Sequence, residues 1–119
     1  MSPLLLLLLP ACEPTITTQT LTDEGTVCVN DDGLVEVTFP GCLSSSCDTL
    51  VSATCEATYA DGVVEVHAEA VIESQGDECT ADCGIIQATC ELPTVDDPST
   101  ATFAYAGEST PLDAECAGF

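Results

Sequence analysis

The sequence predicts an all-β fold, a small antiparallel β-sandwich held together by disulfide bonds. Three observations support this. From residue 27 onward, short segments rich in valine and threonine alternate apolar with polar residues, which is the period of a half-buried strand. Glycine, proline and aspartate separate these segments, and no useful length of chain has the period of a helix. Nine cysteines in 119 residues are typical of a small exported domain stapled by disulfide bonds.

The first predicted hairpin joins residues 26–29 to residues 34–39 through the turn at residues 30–33, whose sequence Asn-Asp-Asp-Gly suits a hairpin loop. One face of the second strand is apolar, formed by Val35, Val37 and Phe39. A loop of two or four residues would place Cys28 on that apolar side as well.

The second predicted hairpin is the clearest, because the dipeptide Asp61-Gly62 favours the positive φ angles of a tight two-residue turn. It pairs residues 50–59 with residues 63–73. The expected inward residues are Val51, Ala53, Cys55, Ala57 and Tyr59 on the first strand and Val64, Val66, Ala68, Ala70 and Ile72 on the second. This register sets Tyr59 opposite Val64 and Cys55 opposite Ala68, so that apolar residues meet apolar residues.

Two further strands are predicted at residues 85–92 and 100–106, separated by prolines and acidic residues. Their inward residues are Ile86, Ala88, Cys90 and Leu92 on the first and Ala101, Phe103 and Tyr105 on the second. Residues 13–20 are polar and rich in threonine, which suits a tether or a first edge strand; we favour a tether for the first few. Six or seven strands in all indicate an antiparallel sandwich.

The N-terminal segment has the character of an export signal. Residues 4–9 are consecutive leucines, followed by Pro10, Ala11 and Cys12. A short apolar run ending in a small residue is typical of a signal peptide, and this run is far shorter than the ~20 apolar residues that a membrane span requires. The tetrapeptide Leu9-Pro10-Ala11-Cys12 resembles the lipobox of bacterial lipoproteins, in which the cysteine becomes lipidated.

This resemblance implies that residues 1–11 are a lipoprotein signal peptide and that Cys12 carries the lipid anchor. Residues 12–25 would then be the lipidated N-terminus and tether, and residues 26–119 the disulfide-rich sandwich domain. Glu13 stands where many lipoproteins retained at the inner membrane have aspartate, which favours the outer membrane. The expected location is therefore the cell envelope, with the domain in the periplasm or at the cell surface.

Setting Cys12 apart leaves eight cysteines, an even number that predicts four disulfide bonds. The preferred pairs are Cys55 with Cys90, Cys28 with Cys116, Cys42 with Cys47, and Cys79 with Cys83. The alternative is a cross-pairing of the two loops, in which Cys42 and Cys47 bond to Cys79 and Cys83. Reduced thiols at this spacing would bind zinc, but an oxidising compartment favours disulfides. A bridge between inward cysteines of separate strands, Cys55 and Cys90, resembles the inter-sheet bridge of immunoglobulin-like domains, and implies an Ig-like sandwich.

The charge of the chain limits its partners. Its 21 acidic residues all follow Cys12, it has no lysine or arginine, and its formal net charge is −21. A nucleic-acid binder needs basic side chains to neutralise phosphates, so that class is excluded. Anionic lipid head groups would also repel the domain, and the lipid must do the anchoring. A protein partner is expected to be cationic or bridged by cations.

His67 is the one imidazole of the chain and the first candidate for metal binding. The predicted register places Glu56 opposite it, and Glu65 and Glu69 are two residues away on the same outward face. Imidazole and carboxylates are suitable ligands for a divalent cation. A flat strand face rarely brings ligands together as a closed site requires, so we predict a solvated acidic face and no metal site, with these four residues as the candidate set.

Other chemistry has little support in the sequence. Acidic turns at Asp31-Asp32, Asp77-Glu78, Asp82 and Asp96-Asp97 would bind calcium only weakly, since none has the spacing of a calcium-binding loop. The serines at residues 44–46 lack the surroundings of a catalytic nucleophile, so no catalytic residue and no cofactor are predicted. The expected function is that of a lipid-anchored surface or interaction module without catalysis, the alternative being a domain that binds divalent cations around His67.

Overall fold

A computed structural model describes residues 15–113 and Cys116. This part of the chain is all-β, with two sheets and four disulfide bonds. The strands are β1 (Ile16–Thr22), β2 (Thr26–Val29), β3 (Leu34–Thr38), β4 (Asp48–Ala60), β5 (Val63–Gln75), β6 (Gln87–Glu91), β7 (Thr102–Tyr105) and β8 (Glu108–Pro111). No helix with the length and apolar character needed to span a membrane occurs among the described residues.

The larger sheet is built around β5. One edge of β5 pairs with β4 along almost its whole length. The other edge is shared, because β1 pairs with residues 69–75 while β7, extended by β8, pairs with residues 63–65. The β5–β7 pair is parallel. The prediction of a wholly antiparallel structure is therefore wrong at this one pair.

The smaller sheet has the order β2-β3-β6 and is antiparallel. Both sheets contribute to one buried core, in which Val35, Val37, Val64 and Phe103 are fully buried. The disulfide bond between Cys55 of β4 and Cys90 of β6 links the two sheets directly. The prediction of an all-β chain with two layers around a shared core is thus confirmed.

The predicted register of the β4–β5 hairpin is confirmed. Asp61 and Gly62 have φ angles of 52° and 81°, as a type I′ turn requires. Tyr59 lies opposite Val64 and Cys55 opposite Ala68. The prediction is wrong at Val51, which is 53% exposed, because a bulge between Leu50 and Ser52 reverses the alternation there. Leu50 consequently packs against the core instead.

The predicted position of Cys28 is also wrong. Asn30 and Leu34 close a three-residue loop that ends in Gly33, with φ of 79°, rather than a loop of two or four residues. An odd loop length moves Cys28 opposite Glu36, while Val35 and Val37 keep their places in the core. Cys28 therefore lies on the outer face of the smaller sheet, and bonds there to Cys116.

The folded sheet begins ten residues before the predicted domain boundary at residue 26, because residues 16–22 form β1, the first edge strand that the sequence allowed as the alternative to a tether. Leu21 is the residue of β1 that enters the core. The short strand β8 was not predicted either. The proposed signal peptide at residues 1–11, the lipidation site Cys12 and the first residues of the tether lie outside the described residues.

The four cysteines of the two long loops are cross-paired. Cys42 bonds to Cys83 and Cys47 bonds to Cys79, so the preferred local pairs Cys42–Cys47 and Cys79–Cys83 are wrong and the alternative is what the structure contains. Mutual backbone hydrogen bonds between Leu43 and Gly84 join the loops next to the Cys42–Cys83 bridge. Cys55–Cys90 and Cys28–Cys116 pair in the preferred way.

Candidate functional site

The candidate site lies on the edge of β5 between the residues that pair with β1 and those that pair with β7. β1 ends at Thr22, and the next residue, Asp23, has a φ of 49° that turns the chain toward the smaller sheet. The Asp23 N–H donates to the carbonyl of Ala68 at 2.9 Å, and the Ala68 N–H donates to Asp23 Oδ1 at 2.9 Å. The Asp23 carboxylate thus takes the place of a strand carbonyl and, together with the Asp23 N–H, satisfies the backbone groups of Ala68 that β1 and β7 leave open.

His67 lies on the outer face of β5 beside this contact, with 61% of its side chain exposed. Its Nε2 is 2.7 Å from Glu65 Oε1, and its Nδ1 is 3.3 Å from Asp23 Oδ2. Hydrogen bonds to Glu65 and Asp23, together with the negative charge of Asp23, raise the pKa of His67 above its ordinary value of 6.5. When it is protonated, the ring donates to both carboxylates and is held between β5 and the turn after β1.

The turn at residues 23–25 is fixed at its other end by Tyr105 of β7. The Tyr105 hydroxyl donates to the carbonyl of Glu24 at 2.6 Å. Burial, reinforced by the charge of Asp23, raises the pKa of Tyr105 to about 12, so the phenol keeps its proton. Gly25 follows with φ of 93°, and a Cβ placed there would lie 1.9 Å from the carbonyl oxygen of Thr38. The site is therefore attached to β3, β5 and β7.

Two open depressions adjoin His67. One, of about 300 Å³, is lined on its acidic side by Asp23, Glu56 and Glu69. The other, of about 630 Å³, lies between Glu65 and the β7–β8 turn. Both are open to solvent, and each has carboxylates in its wall, Glu56 and Glu69 in the first and Glu65 and Glu108 in the second. This geometry suits contact with a charged surface better than capture of a small apolar molecule.

The four predicted metal candidates do not form one ligand set. Glu56 is opposite His67 in the register, as expected, but the two ring nitrogens contact Glu65 and Asp23 on different sides. Within the described residues, one group of three potential ligand atoms lies within 4.8 Å, comprising Cys28, Glu36 and Cys116, and its two cysteines are joined in a disulfide bond.

The sequence patterns did not identify Asp23 as part of the site. It is 44 residues from His67, and Asp-Glu-Gly after a strand signals only a turn.

The serines at residues 44–46 have structural roles in the bridged loops. Thr80 N–H donates to Ser46 Oγ at 2.9 Å, and Ser45 N–H is shared by both carboxylate oxygens of Asp82 at 3.3 Å. Hydrogen bonds from Thr80 and Ser45 lower the pKa of Asp82. These contacts hold the two loops against each other alongside the two disulfide bonds.

The acidic turns considered for calcium are likewise engaged locally. Asp97 Oδ1 accepts hydrogen bonds from Ser99 N–H at 3.1 Å and Ser99 Oγ at 2.6 Å, and these bonds lower the pKa of Asp97. Asp31 and Asp32 lie in the β2–β3 turn, far along the chain from Asp82 and Asp97. Among the described residues, none of these acidic turns contributes to a group of three potential ligand atoms within 4.8 Å.

No protein-family model, no curated protein and no solved structure matches this chain. Its function is inferred from its own residues and geometry.

Proposed function

We propose that this protein is exported and lipid-anchored through Cys12 in a bacterial cell envelope, where its acidic domain is a non-catalytic module for binding cationic or cation-bridged partners. The observation that carries the proposal is the set of four disulfide bonds, which join residues 32 to 88 positions apart. Such bonds persist in small domains outside the reducing cytosol. An outer-membrane location rests on the lipobox resemblance and on Glu13.

We infer an immunoglobulin-like arrangement for the domain. Its support is the bridge between Cys55 of β4 and Cys90 of β6, which crosses from one sheet to the other within the shared core. Such a sandwich is a rigid support that leaves its outer faces free for recognition. The long-range bridge from Cys28 holds Cys116 against the smaller sheet.

The preference for cationic partners follows from the charge balance. The chain carries 21 carboxylate side chains and no lysine or arginine. Its single imidazole is already bound to Asp23 and Glu65, so it offers little compensation to the rest of the surface. A uniform negative field of this kind attracts cationic partners over a distance and weakens as salt screens it.

The alternative function is weak binding of a divalent cation on the acidic face around His67, and the observation in its favour is the depression lined by Asp23, Glu56 and Glu69. Thermal melting at matched ionic strength separates the two. A similar shift with millimolar calcium, zinc or sodium salts would support the interaction module. A shift specific to calcium or zinc, abolished in Glu56→Gln, would support the cation site.

A further inference from the structure

We propose that the open edge of β4, over residues 53–59, docks an extended cationic segment of a partner protein, which adds to the larger sheet as one more strand. This docking site rests on the proposed function, since it gives the cationic partner a place and a conformation. Strand addition uses backbone hydrogen bonds for affinity and side chains of alternating direction for specificity.

The backbone groups of β4 that point to its open edge can be identified from the hydrogen bonds that β5 makes on its opposite edge. Both the N–H and the C=O of Ala68 bond to Asp23, away from β4. Ala68 and its neighbour Cys55 therefore form a non-hydrogen-bonded pair, and such pairs alternate along an antiparallel ladder. The N–H and C=O groups that point to the open edge belong to Ala53, Cys55, Ala57 and Tyr59. In the described part of the chain, no strand other than β5 pairs with β4.

The edge lacks the features that usually prevent strand addition. Natural sheets protect exposed edges with lysine, proline, inward charges or bulges. β4 has no lysine or proline, and its bulge at Val51 disrupts only the N-terminal part. Beyond the bulge, residues 52–60 pair with β5 in unbroken register and carry a single charged side chain, Glu56. Among the described strands, none but β5 thus pairs with this regular nine-residue stretch, and β6 approaches it from the inner face at the Cys55–Cys90 bridge, where the Cα atoms are 5.4 Å apart.

The side chains beside the edge indicate which segment fits. On the outer face, Glu56 lies on β4, and Glu65 and Glu69 lie one strand further, opposite Thr58 and Thr54. Strands are spaced about 4.8 Å apart, so lysine or arginine on an added strand would reach these carboxylates. The inner face at this edge carries two alanines, Ala53 and Ala57, the bridged Cys55 and, at its end, Tyr59, all partly buried. The matching segment alternates cationic with small apolar residues.

A second copy of this chain is not the occupant. Two domains that each carry a formal charge of −21 repel each other, and neither has a lysine or arginine to place over Glu56. The absence of self-pairing in solution is therefore part of the proposal.

The test uses the disulfide-bonded protein and two blocked nine-residue peptides of alternating lysine and valine, one of them N-methylated on residues of both edges so that neither edge can pair. Amide exchange is followed by NMR, and affinity by titration at low salt. The unmodified peptide should slow exchange at Ala53, Cys55, Ala57 and Tyr59. The N-methylated peptide, with the same charge, should bind at least about tenfold more weakly, as expected for the loss of several interstrand hydrogen bonds.

Two proline variants provide a matched comparison. Ala57→Pro removes an N–H from the open edge of β4 without removing a bond to β5. The same alternation places the N–H of Thr20 on the open edge of β1, so Thr20→Pro is the control. Ala57→Pro should weaken binding of the unmodified peptide by about tenfold, and Thr20→Pro should leave its affinity unchanged. If Ala57→Pro does not fold, the exchange pattern of the wild type and the N-methylated peptide decide the question.

Each outcome has one meaning. Equal binding of both peptides without protection in β4 overturns the docking edge and leaves the preference for cationic partners standing. Binding of neither peptide at low salt overturns both. Concentration-dependent dimers of the free domain, with β4 amides protected, would show that the occupant is a second copy and would overturn the choice of a cationic segment.

Discussion

The carboxylate of Asp23 completes the hydrogen bonding of Ala68, a residue 45 positions away at the centre of the longest hairpin. One of its oxygens accepts the Ala68 N–H at 2.9 Å and the other lies 3.3 Å from His67 Nδ1. A single side chain therefore connects the turn that leaves β1 with the middle of β5. The acidic face and the join between the two sheets depend on the same group.

Replacing Asp23 should separate these two roles. Asp23→Ala leaves the Ala68 N–H without its acceptor in a residue that keeps positive φ, and should lower the free energy of unfolding by about 2 to 3 kcal/mol. Asp23→Asn retains an acceptor and tolerates positive φ, so its loss should be under about 1 kcal/mol. Urea denaturation measures both. Asp31→Ala removes a charge from an exposed turn as the control, and a loss equal to that of Asp23→Ala would contradict this role.

The His67 contacts should make stability depend on pH in a defined direction. Because the folded pKa of His67 is raised, its contribution is complete below the unfolded value of 6.5 and is lost as pH rises through the folded pKa. The difference in unfolding midpoint between wild type and His67→Gln should be largest near about pH 5.5 and smallest near about pH 9. A difference that stays constant or grows toward alkaline pH would show that the ring does not bind Glu65 and Asp23 in solution.

Gly25 should be the least replaceable glycine. In Gly25→Ala the new methyl group would lie 1.9 Å from the carbonyl oxygen of Thr38, within a turn of φ 93°. Gly33 has a comparable φ of 79°, but a Cβ there would meet nothing within 4 Å. Gly33→Ala should therefore lower the free energy of unfolding by only about 1 to 2 kcal/mol, the cost of holding alanine in a left-handed conformation. Gly25→Ala should cost at least twice as much or prevent folding. Equal urea midpoints for the two variants would be inconsistent with the close approach of β3.

The loop bridges should be removable only in the observed pairs. The double variant Cys42→Ser, Cys83→Ser should keep three bridges and lose about 2 to 4 kcal/mol of stability. The double variant Cys42→Ser, Cys47→Ser should instead leave the partners Cys83 and Cys79 without their native bonds. Non-reducing peptide mapping distinguishes the two pairings. Recovery of a native Cys42–Cys47 peptide from the wild type would contradict the cross-pairing.

The sequence was most informative where a local rule fixes the geometry. Asp61-Gly62 determines a two-residue turn, and the alternating residues on each side then allow one register, so the partners Tyr59 and Val64 were predicted correctly. The same rule failed at Cys28 because a loop of three residues, rather than two or four, changes which face the cysteine occupies. At Val51 a bulge, which has no clear sequence signal here, had the same effect.

Features that join distant parts of the chain were beyond these rules. The connectivity of Cys42, Cys47, Cys79 and Cys83 depends on how two loops meet, and spacing alone does not determine it. β1 has one residue in the core, Leu21, so its threonine-rich sequence resembles a tether. The position of Glu56 opposite His67 followed from register, whereas the contact of His67 with Asp23 arises from the path of the chain between sheets.

The most direct test of the account is the intact mass of the protein isolated from bacterial membranes, after treatment with a thiol-alkylating reagent before and after reduction. We predict a chain that begins at Cys12, has 108 residues (119 − 11), carries acyl groups, and gains eight alkyl groups only after reduction. An unacylated chain that retains residues 1–11 would contradict the lipid anchor, and a chain whose cysteines react before reduction would contradict export to an oxidising compartment.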